Sequence, residues 1–319
     1  MPGECAMKTC VVISSLDRAR ILHETVLSLQ KQTVRPAGII LSLCDSASVL
    51  PETARLPLVR VVMGVQGLTA QRNNGARATP AGTEYVLFLD DDTELARNYL
   101  ESMEELLDRR PDVMVASGVS AADGLRIARA LERDEAEAAT QEHRCGDGTE
   151  PAEGAYGCNM FVRLSILQQV EFDEGLPKEG WLEDFDFSVR CRRHGLVVWN
   201  LETCVAHLGV QRMMRERGCP VGYSQIANSY YLWRKDVIPS FGELLASFWL
   251  PALRVSVQGT FHGRPPWNAI FDYPGRLRGN LLALADAARL RLTPSGILRL
   301  RTHDSPRRTE RKSSTAPGI

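Results

Sequence analysis

The chain has 319 residues, 44% of them hydrophobic and 24% charged, an ordinary globular mix with length for about two domains, or one large domain with an extension. Its 25 glycines and 17 prolines stay near average, which excludes collagen-like, low-complexity and mostly disordered chains. With 38 basic against 39 acidic residues and a net charge of −1, the whole chain lacks the electrostatic footprint of a nucleic-acid binder.

Met1–Cys10 carries no apolar core of the kind a secretory leader needs, so none is expected. The eight cysteines (5, 10, 44, 145, 158, 191, 204 and 219) include no C-x-x-C pair. Reduced thiols and a cytoplasmic location are expected. The first 120 residues alternate short β-rich runs with helical patterns. TCVVIS at Thr9–Ser14 reads as a buried strand, and Leu22, Val26 and Leu29 then mark one helix face. Further strands are expected at Gly38–Leu43, Leu58–Met63, Tyr85–Leu89 and Val113–Ser117. Helices fall at Thr69–Ala78, stopped by Thr79-Pro80, and around Leu95, Tyr99, Met103 and Leu106. Such alternation predicts right-handed βαβ units and a parallel sheet covered on both faces. Ala121–Glu150, with eight acids against four arginines, interrupts the pattern as an exposed helix and loop. Beyond it come a strand at Cys158–Val162, a helix over Leu182–Arg193 and a strand at Leu196–Asn200. The pattern is helical from about Gln225.

In open α/β sheets ligands sit beyond the carboxyl ends of the strands, and here those ends are polar. Strand one runs into Ser14-Ser15-Leu16-Asp17-Arg18, strand two into Cys44-Asp45-Ser46, and strand four into Asp90-Asp91-Asp92. Single Ser and Asp residues there could simply cap helices or build turns. Three adjacent carboxylates repel one another unless a cation neutralises them, and oxygen-rich clusters suit Mg²⁺ or Mn²⁺. A second acidic group, Glu183-Asp184-Phe185-Asp186, follows Trp181-Leu182. His207 lies after a strand and could complete a metal site. Arg72-Asn73 offers a guanidinium fork for phosphate. The glycine spacing around it is neither G-x-G-x-x-G nor a P-loop.

These residues resemble a family 2 glycosyltransferase of GT-A fold over Thr9–His207. SSLDRARILHETVLSLQKQT is similar to that family's first strand-helix unit, LFLDDDTEL to its DxD-type motif, and WLEDFDFSVRCRRHG to its Glu-Asp motif. GCNMFVRLSIL and FDEGL resemble its acceptor-side strand and loop. Two departures are the absence of Asp-x-Gly-Ser-x-Asp after strand two and the Ser-Leu-Asp-Arg of the first turn. The resemblance implies an α/β GT-A fold, a Rossmann-like mostly parallel sheet flanked by helices, with a helical C-terminal extension. Residues 1–224 would form the transferase domain, with a nucleotide-binding half (1–120) and an acceptor half (121–224), and 225–319 the Arg-rich extension. It also implies a metal-dependent, inverting hexosyltransferase that uses a nucleoside-diphosphate sugar. Ser14, Arg18, Asp45, Arg72, Asn73, Asp90 and Asp91 would hold the nucleotide sugar. Asp90, Asp92 and His207 would hold Mn²⁺ or Mg²⁺, and Asp184 would be the general base. Trp181, Glu183, Cys158 and Asn159 would face the acceptor, a glycan or lipid-linked glycan intermediate in bacterial polysaccharide assembly.

From Arg276 to Ile319 there are ten Arg/Lys and three acids, so this tail carries a surplus of seven positive charges. Phe241–Thr260 is interrupted by Glu243, Pro251 and Arg254 and does not span a bilayer. Its apolar faces with Trp and Arg allow either packing on the body or a partner, or lying on the inner face of the cell membrane as a peripheral segment. Two rival functions stay open. A haloacid-dehalogenase-type phosphatase also places Asp-x-Asp after a strand, but it usually opens its domain there and has Thr where Glu94 stands. A non-catalytic binding or scaffold subunit of GT-A type would leave the acidic residues idle.

Overall fold

The computed structural model describes residues 8–127, 129–209, 218–262 and 271–300; the basic tail from Arg301 and the first seven residues lie outside them. The strands, in chain order, are β1 Thr9–Ser15, β2 Gly38–Leu43, β3 Val59–Met63, β4 Tyr85–Asp90, β5 Thr93–Leu95, β6 Val113–Asp123, β7 Thr149–Pro151, β8 Asn159–Arg163 and β9 Leu196–His207. They form one sheet in the order β3-β2-β1-β4-β8-β6-β9-β5, with β7 also paired to β9. The β3-β2-β1-β4 part is parallel, as the alternation predicts. The next strand departs from it. β8 lies antiparallel between β4 and β6, because the chain re-enters the sheet at the carboxyl end of β4, where Asn159 pairs with Leu89. β6 and β9 are parallel and run past their expected ends to Asp123 and His207.

The two-residue period of the strands divides the apolar residues between two cores. Val11, Ile13, Leu41 and Leu87 join one, together with Leu22 and Val26 of α1 (Ala19–Leu29) and Tyr99, Leu100 and Met103 of α3 (Tyr99–Arg109). Cys10, Val12, Val86 and Phe88 join the other, with Ile166 of the short α5 (Leu164–Leu167) and Phe187 and Cys191 of α6 (Glu183–Cys191). α2 (Leu68–Arg77) comes down on β1 at Gly75, where a Cβ would lie 2.3 Å from Val12 Cγ1. The acidic segment after β6 contains α4 (Arg133–Glu142), whose Ala136 is buried against Ala206 and Leu208.

The described part of the helical region packs on the rest of the chain. α7 (Gly218–Arg234) crosses the Tyr273–Ala288 helix through glycines: a Cβ on Gly222 would meet the Arg276 carbonyl at 1.9 Å, and one on Gly279 the Cys219 carbonyl at 2.0 Å. Asn280 Nδ2 donates to the Gly222 carbonyl at 2.8 Å. Leu232, Val237, Ile238 and Leu244 bury Leu176, and Lys235 Nζ pairs with Asp173 and Asp186. No helix among the described residues is long and apolar enough to cross a membrane.

Gly279→Ala should lower stability by about 1–3 kcal/mol in urea unfolding, since backbone atoms on both sides must move apart. Gly242→Ala, with only Ser240 Oγ at 3.8 Å, should be neutral or slightly stabilising. Equal effects of the two would contradict a close glycine crossing.

Candidate active site

β4 delivers the acidic trio to the middle of the sheet's carboxyl edge. Asp90 stands opposite Ser14 of β1 in parallel register. Three residues later the chain enters β5, where Thr93 pairs with His207 and the Asp92 carbonyl accepts the Leu208 N–H at 2.8 Å. This single step places Asp92 beside the end of β9. Asp91, with no exposed surface, turns inward. It accepts the Ser15 hydroxyl at 2.5 Å and is clasped by Arg18, Nε to Oδ2 at 3.1 Å and Nη2 to Oδ1 at 2.5 Å. Burial pushes its carboxyl up to about 7, against the pull of Arg18. Arg18 Nη1 also reaches Asp92 Oδ2 at 3.2 Å.

One carboxylate oxygen each from Asp90 and Asp92 and one ring nitrogen of His207 lie within 4.8 Å of one another. Two hard oxygens with one imidazole nitrogen are a donor set that fits Mn²⁺ or Mg²⁺. His207 Nε2 is 3.3 Å from Asp92 Oδ1 and its Nδ1 is 3.4 Å from Asp123 Oδ1. Burial works to lower the imidazole pKa, but these carboxylates outweigh it and raise it to about 10.

The second acidic group is drawn to the trio by Arg72. This guanidinium, buried on α2, donates to Glu183 Oε1 at 2.7 Å, the Gly157 carbonyl at 2.8 Å and Asp90 Oδ1 at 3.3 Å. Asp184 Oδ2 accepts the Gly157 N–H at 3.1 Å and Oδ1 its neighbour Phe185 N–H at 2.8 Å. A side chain at Gly157 would stand 3.1 Å from Glu183 Oε1 and 3.2 Å from Asp184 Oδ2, so this glycine leaves room for both acids. Burial, then Asp184, pushes the Glu183 carboxyl up to about 7, and burial likewise raises Asp184. The preceding turn is strained, with Lys178 at φ 60° and Leu182 at φ 73°.

A cavity of about 550 Å³ opens over these groups, and Ser14, Arg18, Asp90 and Trp181 line it. Arg72, Asp91, Asp92, Glu183 and His207 are buried and do not themselves line it. Asp45, Asn73, Cys158 and Asn159 are not among its lining residues, though the Cys158 carbonyl accepts the Asp90 N–H at 3.1 Å. Asp45 is exposed at the end of β2, its carboxylate accepting the Ala47 N–H at 2.9 Å. Asn73 faces the other way, donating to the Phe172 carbonyl and Glu174 at 2.9 Å each. Cys158 and Asn159 are buried, and Asn159 Nδ2 donates to the Gly118 carbonyl at 2.9 Å. Sequence reading missed Gln71, whose Nε2 ties the Ser15 and Ser42 carbonyls. It also missed Asp123 and Tyr156, and Pro220, Val221, Ser224, Ile297 and Leu298, which supply a wall of the cavity. Only Asp123 had a local signal, as the acid where an apolar strand ends.

A profile described as Glycosyl transferase family 2 matches residues 10–170. No curated protein matches the sequence. Among solved structures, a crystal structure of S. aureus TarS superposes with TM-score 0.50 at 14% identity, over 80% of this chain and 44% of that one. A crystal structure of GalNAc-T7 with UDP, GalNAc and Mn²⁺ superposes with TM-score 0.53 at 15% identity, over 89% of this chain and 59% of that one. The chain thus spans about half the length of these structures, and at such identities the likeness is one of fold.

Arg72→Met should cost about 3–5 kcal/mol in urea unfolding, because it leaves Glu183 buried without its partner. Adding Glu183→Gln should return part of that loss. A single-variant cost at the level of an exposed pair, about 1 kcal/mol or less, would show that Arg72 does not hold the acids together.

Proposed function

Because the chain belongs to glycosyl transferase family 2, we propose that it moves a sugar, a hexose, from a nucleoside-diphosphate sugar to an acceptor hydroxyl, with inversion at the anomeric carbon. The observation that carries this reading is the gathering of Asp90 and Glu183, from segments 93 residues apart in the sequence, on the one buried guanidinium of Arg72, with Asp184 beside them. A scaffold with idle acids has no use for that costly burial of charge.

Asp184 is the general base. It takes the proton of the acceptor hydroxyl as that oxygen bonds to the anomeric carbon and the bond to the diphosphate breaks on the opposite face, which inverts the centre. Its two backbone N–H bonds fix the carboxylate while leaving lone pairs to accept the proton. Arg18, held rigid by Asp91, sets a positive charge beside the leaving diphosphate. Asp90, Asp92 and His207 would hold Mn²⁺ or Mg²⁺, which when bound neutralises diphosphate charge as a Lewis acid. Trp181, 38% exposed in the cavity wall, offers an aromatic face to the acceptor, which we take to be a glycan or lipid-linked glycan intermediate of polysaccharide assembly.

The acceptor's setting is the inner surface of a membrane. Between Leu250 and Arg291 the described residues expose Val257, Phe261, Leu281, Leu282 and Leu290, and Thr260, Leu277 and Leu281 share a shallow apolar groove. Among the described residues of that stretch the exposed charged ones are arginines, at 254, 278, 289 and 291, the last paired with the partly buried Asp286. Apolar surface with exposed arginines complements an anionic bilayer.

The test of the reaction is release of free nucleotide from UDP-, GDP- and dTDP-sugars with Mn²⁺. Asp184→Asn should cut kcat by about 10²–10⁴-fold while the nucleotide still raises the melting temperature. Loss of both together would remove Asp184 from the base role. Since only the ionised carboxylate accepts a proton and burial raises its pKa, kcat/KM should climb with pH along a limb above the ordinary aspartate value of about 3.9. A limb at that value would count against it. In co-sedimentation, vesicles rich in phosphatidylglycerol should capture the protein and pure phosphatidylcholine should not. Phe261→Asp with Leu282→Asp should lower the bound fraction about tenfold or more; equal binding by the double variant would rule this surface out.

A further inference from the structure

Behind the candidate cation site stands a buried carboxylate, Asp123, that the chemistry above leaves unused. Asp123 ends β6, its side chain only 3% exposed, with Oδ1 3.4 Å from His207 Nδ1. The parallel register of β6 and β9 pairs these two residues directly, so the sheet itself sets their approach. Asp123 is in turn fixed on both oxygens. Oδ1 accepts the Leu125 N–H at 2.9 Å and Oδ2 the Tyr156 hydroxyl at 2.8 Å, with Arg126 Nε 3.6 Å from Oδ2. The Tyr156 ring meets the imidazole edge-on, centroids 6.2 Å apart, and its hydroxyl lies 3.4 Å from His207 Nδ1.

An imidazole binds a cation only through a nitrogen that bears a lone pair, and the proton must then sit on the other nitrogen. A carboxylate is acceptor-only, so beside Nδ1 it keeps the proton there. We propose that Asp123, oriented by Tyr156, is a positioning residue that holds the His207 proton on Nδ1 and presents the Nε2 lone pair toward Asp90 and Asp92. This role rests on the reading of those three residues as a divalent-cation site.

The test is the affinity of the full chain for Mn²⁺ alone, followed by the electron paramagnetic resonance of the free ion, with no sugar nucleotide present. Asp123→Asn can turn its amide NH₂ toward Nδ1 and invite the other tautomer. Its Mn²⁺ dissociation constant should rise about 10–100-fold, while circular dichroism stays that of the wild type. Tyr156→Phe keeps the ring, loses only the hydroxyl, and should weaken Mn²⁺ in the same direction by less. It decides the matter if Asp123→Asn does not fold. Wild-type affinity in a folded Asp123→Asn protein, or in Tyr156→Phe should that variant have to decide, overturns the positioning role and leaves the cation site standing. A wild-type chain that binds no Mn²⁺ overturns the cation site first.

Discussion

The buried guanidinium of Arg72 is the constraint on which the site depends. Five carboxylates, Asp90, Asp91, Asp92, Glu183 and Asp184, cannot share one end of a sheet unless cations stand among them. Arg72 supplies the link between the two acidic groups, and Arg18 clasps the trio from the β1 turn. Both are arginines, whose planar fork can serve several oxygens at once without losing its charge. A lysine in either place would satisfy fewer acceptors.

This pairing also sorts the acids by task. Asp91 and Glu183 are buried against arginine and hold the frame. Asp90 keeps an exposed side, at 31%, and lines the cavity. Asp184 accepts two backbone N–H bonds that fix its carboxylate, and burial raises its pKa against the pull of Arg72. Neighbouring acids of one type thus differ in burial and partners.

The helical region adds what the sheet lacks. Residues matching the family profile end at 170, yet α6 with Asp184, the end of β9 with His207, and the cavity wall at Pro220, Val221, Ile297 and Leu298 all lie beyond it. Lys235 and Leu232 lock α7 to the segment that carries Asp173, Leu176 and Asp186. These contacts join the helix that carries Pro220 and Val221 to the acidic turn.

Sequence alone determined the local pattern. Apolar runs starting at Thr9, Gly38, Leu58 and Tyr85 gave strands because a continuous β-rich run has one low-energy use, and Leu22, Val26 and Leu29 gave a helix face from spacing. The Asp90–Asp92 trio and the Glu183-Asp184 pair were legible because adjacent like charges need an explanation wherever they fold. Only the tertiary structure decided which polar residues turn toward the site. Asp45 and Asn73 carry the same chemistry as residues that do, yet one caps a turn in solvent and the other ties down Phe172. Reversal of β8, extension of β9 to His207, and the contact of Asp123 with that ring depend on where distant strands pair. Pairing of that kind is set by packing across the sheet, a quantity that no window along the chain contains.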